Sequence, residues 1–387
     1  MNRGTDNFAL VTGASGFIGS RLVEFLAARG FRLRVLTSNF SHGARIARFP
    51  VEFRRWDLID PRAAADAVQG CTHVFHCAYR FGGSREEQLR NNLAGTRALA
   101  EAALAHGVRR FVHTGSVAAY GPPRDGVLDE SSPLITGDDY SNTKAALDAY
   151  LLEQHRMRGL PVAIVQPTIV YGPFGTTWTS RLLQQVRDFR VVLPRSGQGL
   201  CSAVYVDDVV QAMLLAAEQP AAAGRKFLVS GPAPVTWAEF YRSYERMLGL
   251  DRLLLLDNAS FGRALAEERR RHSLPRRLHS FLARRVELRE RVWGAPPFSW
   301  AMAASRALLP ESWRATVGRR YERLWERAPE PDVCLYFPDE GTARLYAARA
   351  DVKIDRAQEI LGYRPAFDLA AGMRRCEQWA RWANLIP

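Results

Sequence analysis

The 387-residue chain is long enough for a full core and two lobes, and its 47% hydrophobic and 24% charged content exclude a disordered or fibrous protein. No stretch approaches the roughly 18 apolar residues of a membrane span, and "MNRGTDNFALVTG" leads directly into a strand pattern instead of a signal peptide. The formal charge of +13 comes from fifty arginines against three lysines, Lys144, Lys226 and Lys353; it reads as a basic surface in water, with nucleic acid, an anionic membrane and acidic substrates as the alternatives.

"FALVTG" (8–13) reads as a strand, and "SGFIGSRLVEFLAARG" as a turn and amphipathic helix ending at Gly30. Between them Gly13, Gly16 and Gly19 are spaced G-x-x-G-x-x-G, with Phe17 and Ile18 inside the run. Such a turn lets backbone approach a pyrophosphate, and the helix N-terminus offers free N–H groups to the anion. In this strand-turn-helix setting it reads as a dinucleotide site; a tight structural turn is the alternative. "RLRVLTS" (32–38) is the second strand. Its end carries Thr37, Ser38 and Asn39, with Arg45 beyond, and no acid to repel a 2′-phosphate. This favours NADP over NAD as cofactor; the alternative is that Arg45 faces solvent and NAD binds through other contacts.

"VEFRRWD" (51–57), "HVFHCA" (73–78), "RRFVHTGS" (109–116), "VAIVQP" (162–167) and "KFLVSG" (226–231) complete a seven-strand pattern, with helices near 86–106 and 140–158. Alternating strands and helices predict an α/β, doubly wound Rossmann fold: a mostly parallel seven-stranded sheet with a smaller, largely helical C-terminal substrate domain. The nucleotide-binding part spans 1–170, its sheet completed by about 200–232. Residues 171–199 and 233–387 form the substrate-binding region.

The helix near 140–158 opens on "DDYSNTKAAL". Residues i and i+4 share a helix face, so Tyr140 and Lys144 project together. A free phenol, with a pKa near 10, is a poor base at neutral pH, and an adjacent ammonium favours its ionised form. Tyr140 can then exchange a proton with a substrate hydroxyl while hydride moves to or from a nicotinamide, whose ribose Lys144 can bind. With twelve tyrosines and three lysines, chance supplies about 0.1 such pairs. Ser116, after the fifth strand, supplies a hydroxyl able to orient the substrate oxygen; a turn or cap is its alternative role.

From about 250 to 330 the chain is helical, Arg-rich and Trp-rich (Trp293, Trp300, Trp313, Trp325). This basic insert reads as a lid over the substrate, with peripheral membrane contact as the alternative; no nucleic-acid motif accompanies it. "APEPD" (328–332) reads as a linker, and the segment from Val352 to Trp382 as two short helices around a turn. Five scattered cysteines show no paired or metal-binding spacing, which points to reduced thiols in a cytoplasmic protein and to no metal site.

Together these motifs resemble the extended short-chain dehydrogenase/reductases, the NAD-dependent epimerase/dehydratase family, over about 8–231 and again over 350–382. "TGASGFIG" is similar to the family's cofactor turn. The resemblance implies that Asp57 and Leu58 of "WDLID" contact adenine and that Cys77, Ala78 and Tyr79 of "HCAY" line the cofactor, Cys77 through its backbone. It implies that Asn92 of "NNLAGT" steadies the site, that Ser116 of "TGSVAAYG" is the catalytic hydroxyl, and that Pro167 and Val170 of "PTIVYGP" contact the nicotinamide. "VYVDDVVQAM" and "ILGYRP" resemble structural segments.

Departures narrow the reaction. Sugar-nucleotide 4,6-dehydratases of the family have an Asp-Glu pair after the catalytic hydroxyl, where this chain has Val117 and Ala118. Ile169 stands where sugar-nucleotide members have asparagine, and Cys201 and Ser202 where they place a phosphate-clamping arginine; Arg181 or Arg195 remain as substitutes. "QPTIVYGPFGTTW" looks closer to the reductase and 3β-hydroxysteroid-dehydrogenase-like branches. The expectation is a Ser-Tyr-Lys oxidoreductase acting at a secondary alcohol or carbonyl of a partly apolar substrate. The alternatives are a sugar or nucleotide-sugar epimerase, or a non-catalytic dinucleotide sensor. The resemblance also implies a homodimer.

Overall fold

The computed structural model describes residues 7–37, 43–56, 59–271 and 334–386. Seven strands form the central sheet: β1 (Phe8–Thr12), β2 (Arg32–Thr37), β3 (Val51–Arg55), β4 (His73–His76), β5 (Arg110–Thr114), β6 (Val162–Pro167) and β7 (Arg225–Val229). Their order is β7-β6-β5-β4-β1-β2-β3, every pair parallel. The expected doubly wound sheet is therefore present; β6 ends where its apolar run suggested and the other six strands end one or two residues earlier.

Each face of the sheet is covered by helices, as the β1, β5 and β6 burial patterns require: every residue in them is buried. On one face lie α1 (Phe17–Ala28), with Leu22, Val23 and Leu26 in the core, and a later helix contributing Val209, Val210 and Met213. On the other lie α2 (Pro61–Val68), α3 (Arg85–Ala105) and α4 (Asp139–Arg158), through Ala67, Leu99 and Leu151. The order in which strands are added reverses between β1 and β4, where a crevice opens at the strands' carboxyl ends.

Helix starts follow local chemistry. Ser84 and Glu87 form a reciprocal capping box on α3. Asp138 caps α4 by accepting from Ser141 N at 2.8 Å, and Gly159, at φ +75°, ends it. This cap sets Tyr140 in the helix's first turn and turns Lys144 and Asp148 inward.

The C-terminal region is largely helical, as expected, with short strands among its helices. α6 (Val206–Glu218) is the later helix packed on the sheet, while α5 (Arg181–Asp188), α7 (Trp237–Leu248) and α8 (Asn258–Arg271) lie in the substrate region with short strands between them. Arg190–Leu193 pairs in parallel with Leu253–Leu255 and Leu335–Tyr336, and Ala350–Val352 pairs with Gly126–Leu128. Strands of two to four residues carry too little alternation to be read from sequence. α9 (Glu340–Ala347), α10 (Asp355–Leu361) and α11 (Leu369–Trp382) follow, the last two as expected.

"VYVDDVVQAM" and "ILGYRP" meet in space. The Asp208 carboxylate, 1% exposed, accepts from Ala366 N at 2.8 Å and Phe367 N at 3.2 Å, while the Tyr363 hydroxyl donates to Ser230 O at 2.8 Å. The C-terminal segment is thereby tied to the sheet. Residues 272–333, most of the basic insert with its tryptophans and "APEPD", lie outside the described residues.

Candidate active site

One cavity of about 1530 Å³ runs along the crevice. Its floor is the glycine turn. Gly13 lies at φ +65°, and a Cβ there would stand 2.7 Å from Ala78 N; a Cβ on Gly19 would stand 2.2 Å from Gly13 O. These two positions tolerate only glycine because turn, α1 and the end of β4 close on one another. The N-cap of α1, Gly16, makes no side-chain capping bond, and no acid occupies the helix's first turn. The α1 N–H groups are thus free to take an anion, which fits a dinucleotide pyrophosphate.

Of the expected cofactor residues, Gly13, Gly16, Phe17, Ile18, Gly19, Thr37, Cys77, Ala78, Tyr79, Pro167 and Val170 line this cavity. Ser38, Asn39, Asp57 and Leu58 lie outside the described residues. Asn92 acts from behind: Oδ1 accepts from Arg80 N at 2.8 Å, and Nδ2 donates to Arg80 O at 3.0 Å and to Gln88 O at 2.8 Å, pinning the loop after β4. Arg45 is turned elsewhere. Its guanidinium pairs with Glu24 at 3.1 Å, lies 4.1 Å from the Phe174 ring centre, and is absent from the cavity wall.

Arg55, which the sequence reading passed over, does line the cavity, opposite Thr37 in the β2–β3 register. The signal was available: Arg55 ends the third strand, two residues from the anticipated adenine contact, and strand ends in this fold point at the ligand.

The three expected catalytic residues share the same cavity. Lys144, 4% exposed, donates from Nζ to Thr114 O at 2.7 Å. That nitrogen lies 5.0 Å from the Tyr79 ring centre and 5.9 Å from that of Tyr140. Ser116 ends the strand-to-turn passage after β5, its Oγ accepting from Ala118 N at 3.1 Å. Its capping role and its place in the cavity are compatible, since the accepting oxygen keeps its own proton to donate.

Tyr140 packs edge-on against Tyr79, with centroids 5.1 Å apart, and flat against Phe81 at 5.9 Å. Burial, opposed by a bond to Thr143, pushes the Tyr79 phenol up to about 12. Tyr79 is therefore a neutral donor, its hydroxyl bonded to Gln88 Oε1 at 2.8 Å, and not a second base. The Cys77 thiol is pushed up to about 11 by burial and accepts from Thr114 Oγ1 at 3.3 Å, which makes it an inert packing group.

The wall beyond Tyr140 is largely apolar, built from Phe81, Val117, Pro122, Leu128, Ile169, Trp178, Leu200, Leu345 and Val352, with Ser202, Thr176 and Arg344 among its polar members. Arg195 donates to Asp125 at 2.9 Å and to Ala347 O at 3.1 Å, and neither it nor Arg181 lines the cavity.

Residues 9–230 match the NAD dependent epimerase/dehydratase family. The chain belongs to that family. It is 35% identical over 233 residues to sterol demethylase protein B of Methylococcus capsulatus, covering 57% of this chain and 69% of the relative. It is 30% identical over 257 residues to a 2-alkyl-3-oxoalkanoate reductase of Stenotrophomonas maltophilia, covering 63% and 76% respectively. Among solved structures, MoeE5 in complex with UDP-glucose and NAD superimposes with a TM-score of 0.67 at 21% identity, over 98% of this chain and 99% of that one. At that identity the likeness concerns the fold.

Proposed function

We propose that this family member is an NAD(P)-dependent oxidoreductase that interconverts a carbonyl and a secondary alcohol on a predominantly apolar substrate. The observation that carries the reading is the presence of Ser116, Tyr140 and Lys144 in one cavity with the glycine turn. A bound nicotinamide supplies or accepts the hydride. In the reducing direction the Ser116 hydroxyl donates to the substrate's carbonyl oxygen and orients it. As hydride reaches the carbonyl carbon, the Tyr140 hydroxyl gives its proton to that oxygen, leaving an alcohol and a phenolate. The Lys144 ammonium favours the negative charge left on Tyr140. Oxidation runs through the same groups in reverse.

Two features support a plain hydride transfer over sugar-nucleotide chemistry. Val117 and Ala118, both in the cavity wall, carry no proton to shuttle for a dehydration. Arg181 and Arg195, the arginines that would substitute for the missing diphosphate clamp, are both absent from the wall. The apolar wall also agrees with the names of the two relatives, one a sterol enzyme and the other a reductase of alkyl-chain oxo acids.

The cofactor reading remains NADP in preference to NAD. Its support shifts from Arg45 to Arg55 and Thr37, with no carboxylate lining that end of the cavity among the described residues.

The test follows oxidation of NADPH, and separately NADH, optically against a panel of sterol, long-chain and sugar-derived ketones. Turnover is expected with apolar ketones, and Tyr140→Phe is expected to lower kcat by about 10²-fold or more with dinucleotide affinity retained. Full activity in Tyr140→Phe sinks the reading. Interconversion of sugar epimers without net NAD(P)H use would replace it with epimerisation.

A further inference from the structure

Phe174 fills a backbone position suited to glycine. Gly175 N donates to Gly172 O at 3.0 Å, closing a tight turn, and Phe174, the third residue of that turn, lies at φ +68°. Such a φ is strained for a bulky side chain. The ring's neighbours are Arg45, 4.1 Å from its centre, Trp379 at 5.3 Å and Trp382 at 6.2 Å. These contacts still leave rings in water: Phe174 is 42% exposed and Trp382, on α11, 73%. Backbone strain that holds apolar rings at a surface points to a use for that surface.

Arginines surround the rings. Glu24 pairs with Arg21, with Arg45 at 3.1 Å and with Arg48 at 3.2 Å, and Asp207 pairs with Arg21 at 2.6 Å. Glu24 is the buried member, its side chain 8% exposed against 66% for Arg48. Arg29 and, on α11, Arg374 and Arg375 are exposed as well. The outward layer is therefore positive. The face also borders the cavity. A Cβ on Gly175 would stand 3.0 Å from the tip of Phe17, which lines the cavity together with Thr176, Thr177 and Trp178.

We propose that this face is the protein's contact with an anionic bilayer. Trp382 and Phe174 enter the headgroup boundary, and the surrounding arginines meet lipid phosphates. No helix among the described residues is long and apolar enough to cross a membrane, so the contact is peripheral. It sets the cavity beside the phase in which apolar molecules dissolve. Two other occupants fit less well. Nucleobases stack on open ring faces, but Arg45 lies over Phe174, Arg48 over Phe49 at 4.9 Å, and Arg21 and Arg29 over Phe25 at 4.8 and 5.6 Å. A second copy of the chain would bring the same positive layer against this one.

Flotation of the full chain with phosphatidylcholine vesicles, with and without phosphatidylglycerol, tests the assignment. The protein is expected to float with the anionic vesicles and to stay behind with the neutral ones. Trp382→Ser is expected to weaken vesicle binding about tenfold, and Arg48→Gln about fivefold, the worth of one basic residue near an anionic surface. Both side chains are largely in water, so the thermal midpoint is expected to stay in place. Trp382→Phe, which keeps an aromatic ring, is expected to retain most of the binding.

Absence of wild-type flotation, or equal flotation with neutral vesicles, overturns the proposal. So does Trp382→Ser floating like the wild type, which would put the lipid contact elsewhere in the chain. A labelled oligouridylate, or a concentration-dependent dimer, that is lost in Trp382→Ser while vesicles fail to bind would overturn it in favour of that partner. None of these readouts involves turnover, so the bilayer contact and the oxidoreductase reading stand or fall separately.

Discussion

At the scale of the residue, the site depends on charges placed in an apolar interior, and their protonation leaves a trace in stability. Burial, opposed by the Gln166 bond and by Lys144, raises the Asp148 carboxyl from its ordinary 3.8 to about 6. Between about pH 4 and 6 the folded chain therefore holds a proton that the unfolded chain has released. By linkage, Asp148 costs stability progressively as pH rises through that window and a constant amount above it. His76 works the other way. Burial and then the Lys144 charge press it down to about 3, so its contribution to stability grows as pH rises from about 3 toward the ordinary histidine value of 6.5. Because the two oppose, the informative quantity is a difference. The thermal midpoint of Asp148→Asn minus that of the wild type is expected to increase from pH 4 to 6 and then level off. Parallel midpoint curves would show that Asp148 does not titrate in this window.

Arg55 offers a second prediction at this scale. Arg55→Gln is expected to weaken NADP about tenfold, the loss of one charge-assisted phosphate contact, with little change for NAD. Calorimetric titration of both dinucleotides measures this without a turnover assay. Equal losses for the two would place Arg55 on a part of the cofactor that they share.

At the scale of the element, the decisive unit is β1, the glycine turn and α1. With the Gly19 Cβ position 2.2 Å from Gly13 O, Gly19→Ala must push α1 away from the turn whose N–H groups receive the anion. Dinucleotide affinity is expected to fall tenfold or more, as about 1.4 kcal/mol or more of binding is lost. Gly262→Ala is the matched control, since a Cβ there meets no atom within 4 Å. Unchanged binding in Gly19→Ala would mean that the cofactor does not rest on this turn. The α4 element works by register: the Asp138 cap fixes where the helix begins, and the i, i+4 spacing then aligns Tyr140, Lys144 and Asp148 on one side.

At the scale of the whole molecule, part of the cavity's apolar wall is supplied by the C-terminal segment folded back on the sheet. Leu345 and Val352 belong to the docked segment 340–367, and Asp208 is its clasp, accepting from the backbone N–H groups of Ala366 and Phe367. Asp208→Ala removes both part-buried bonds, at a cost of about 1–2 kcal/mol. Denaturant unfolding is expected to show that loss, and ketone KM to rise more than NADPH affinity falls, because the cofactor half of the cavity is built from the sheet. An equal effect on both would mean that the C-terminal segment supports the whole crevice.

Much of this architecture was legible in the sequence because its signals are local. Strand-length apolar runs, a glycine triple between strand and helix, and a Tyr-x-x-x-Lys spacing are each set by backbone geometry over fewer than ten residues. They sufficed for the seven-stranded sheet, for the glycine turn and for expecting Tyr140 and Lys144 on one side of α4, where both line the cavity. What tertiary structure alone decided are relations between residues far apart in the chain. Arg45 is taken up by Glu24 and Phe174 while Arg55 reaches the cavity. Asn92 braces a loop, and Arg195 braces Asp125 and Ala347. Asp148 meets His113 and Gln166 in the dark interior behind Lys144. Side-chain partners are chosen by distance and burial after the chain has closed on itself, and no periodicity along the sequence encodes that choice.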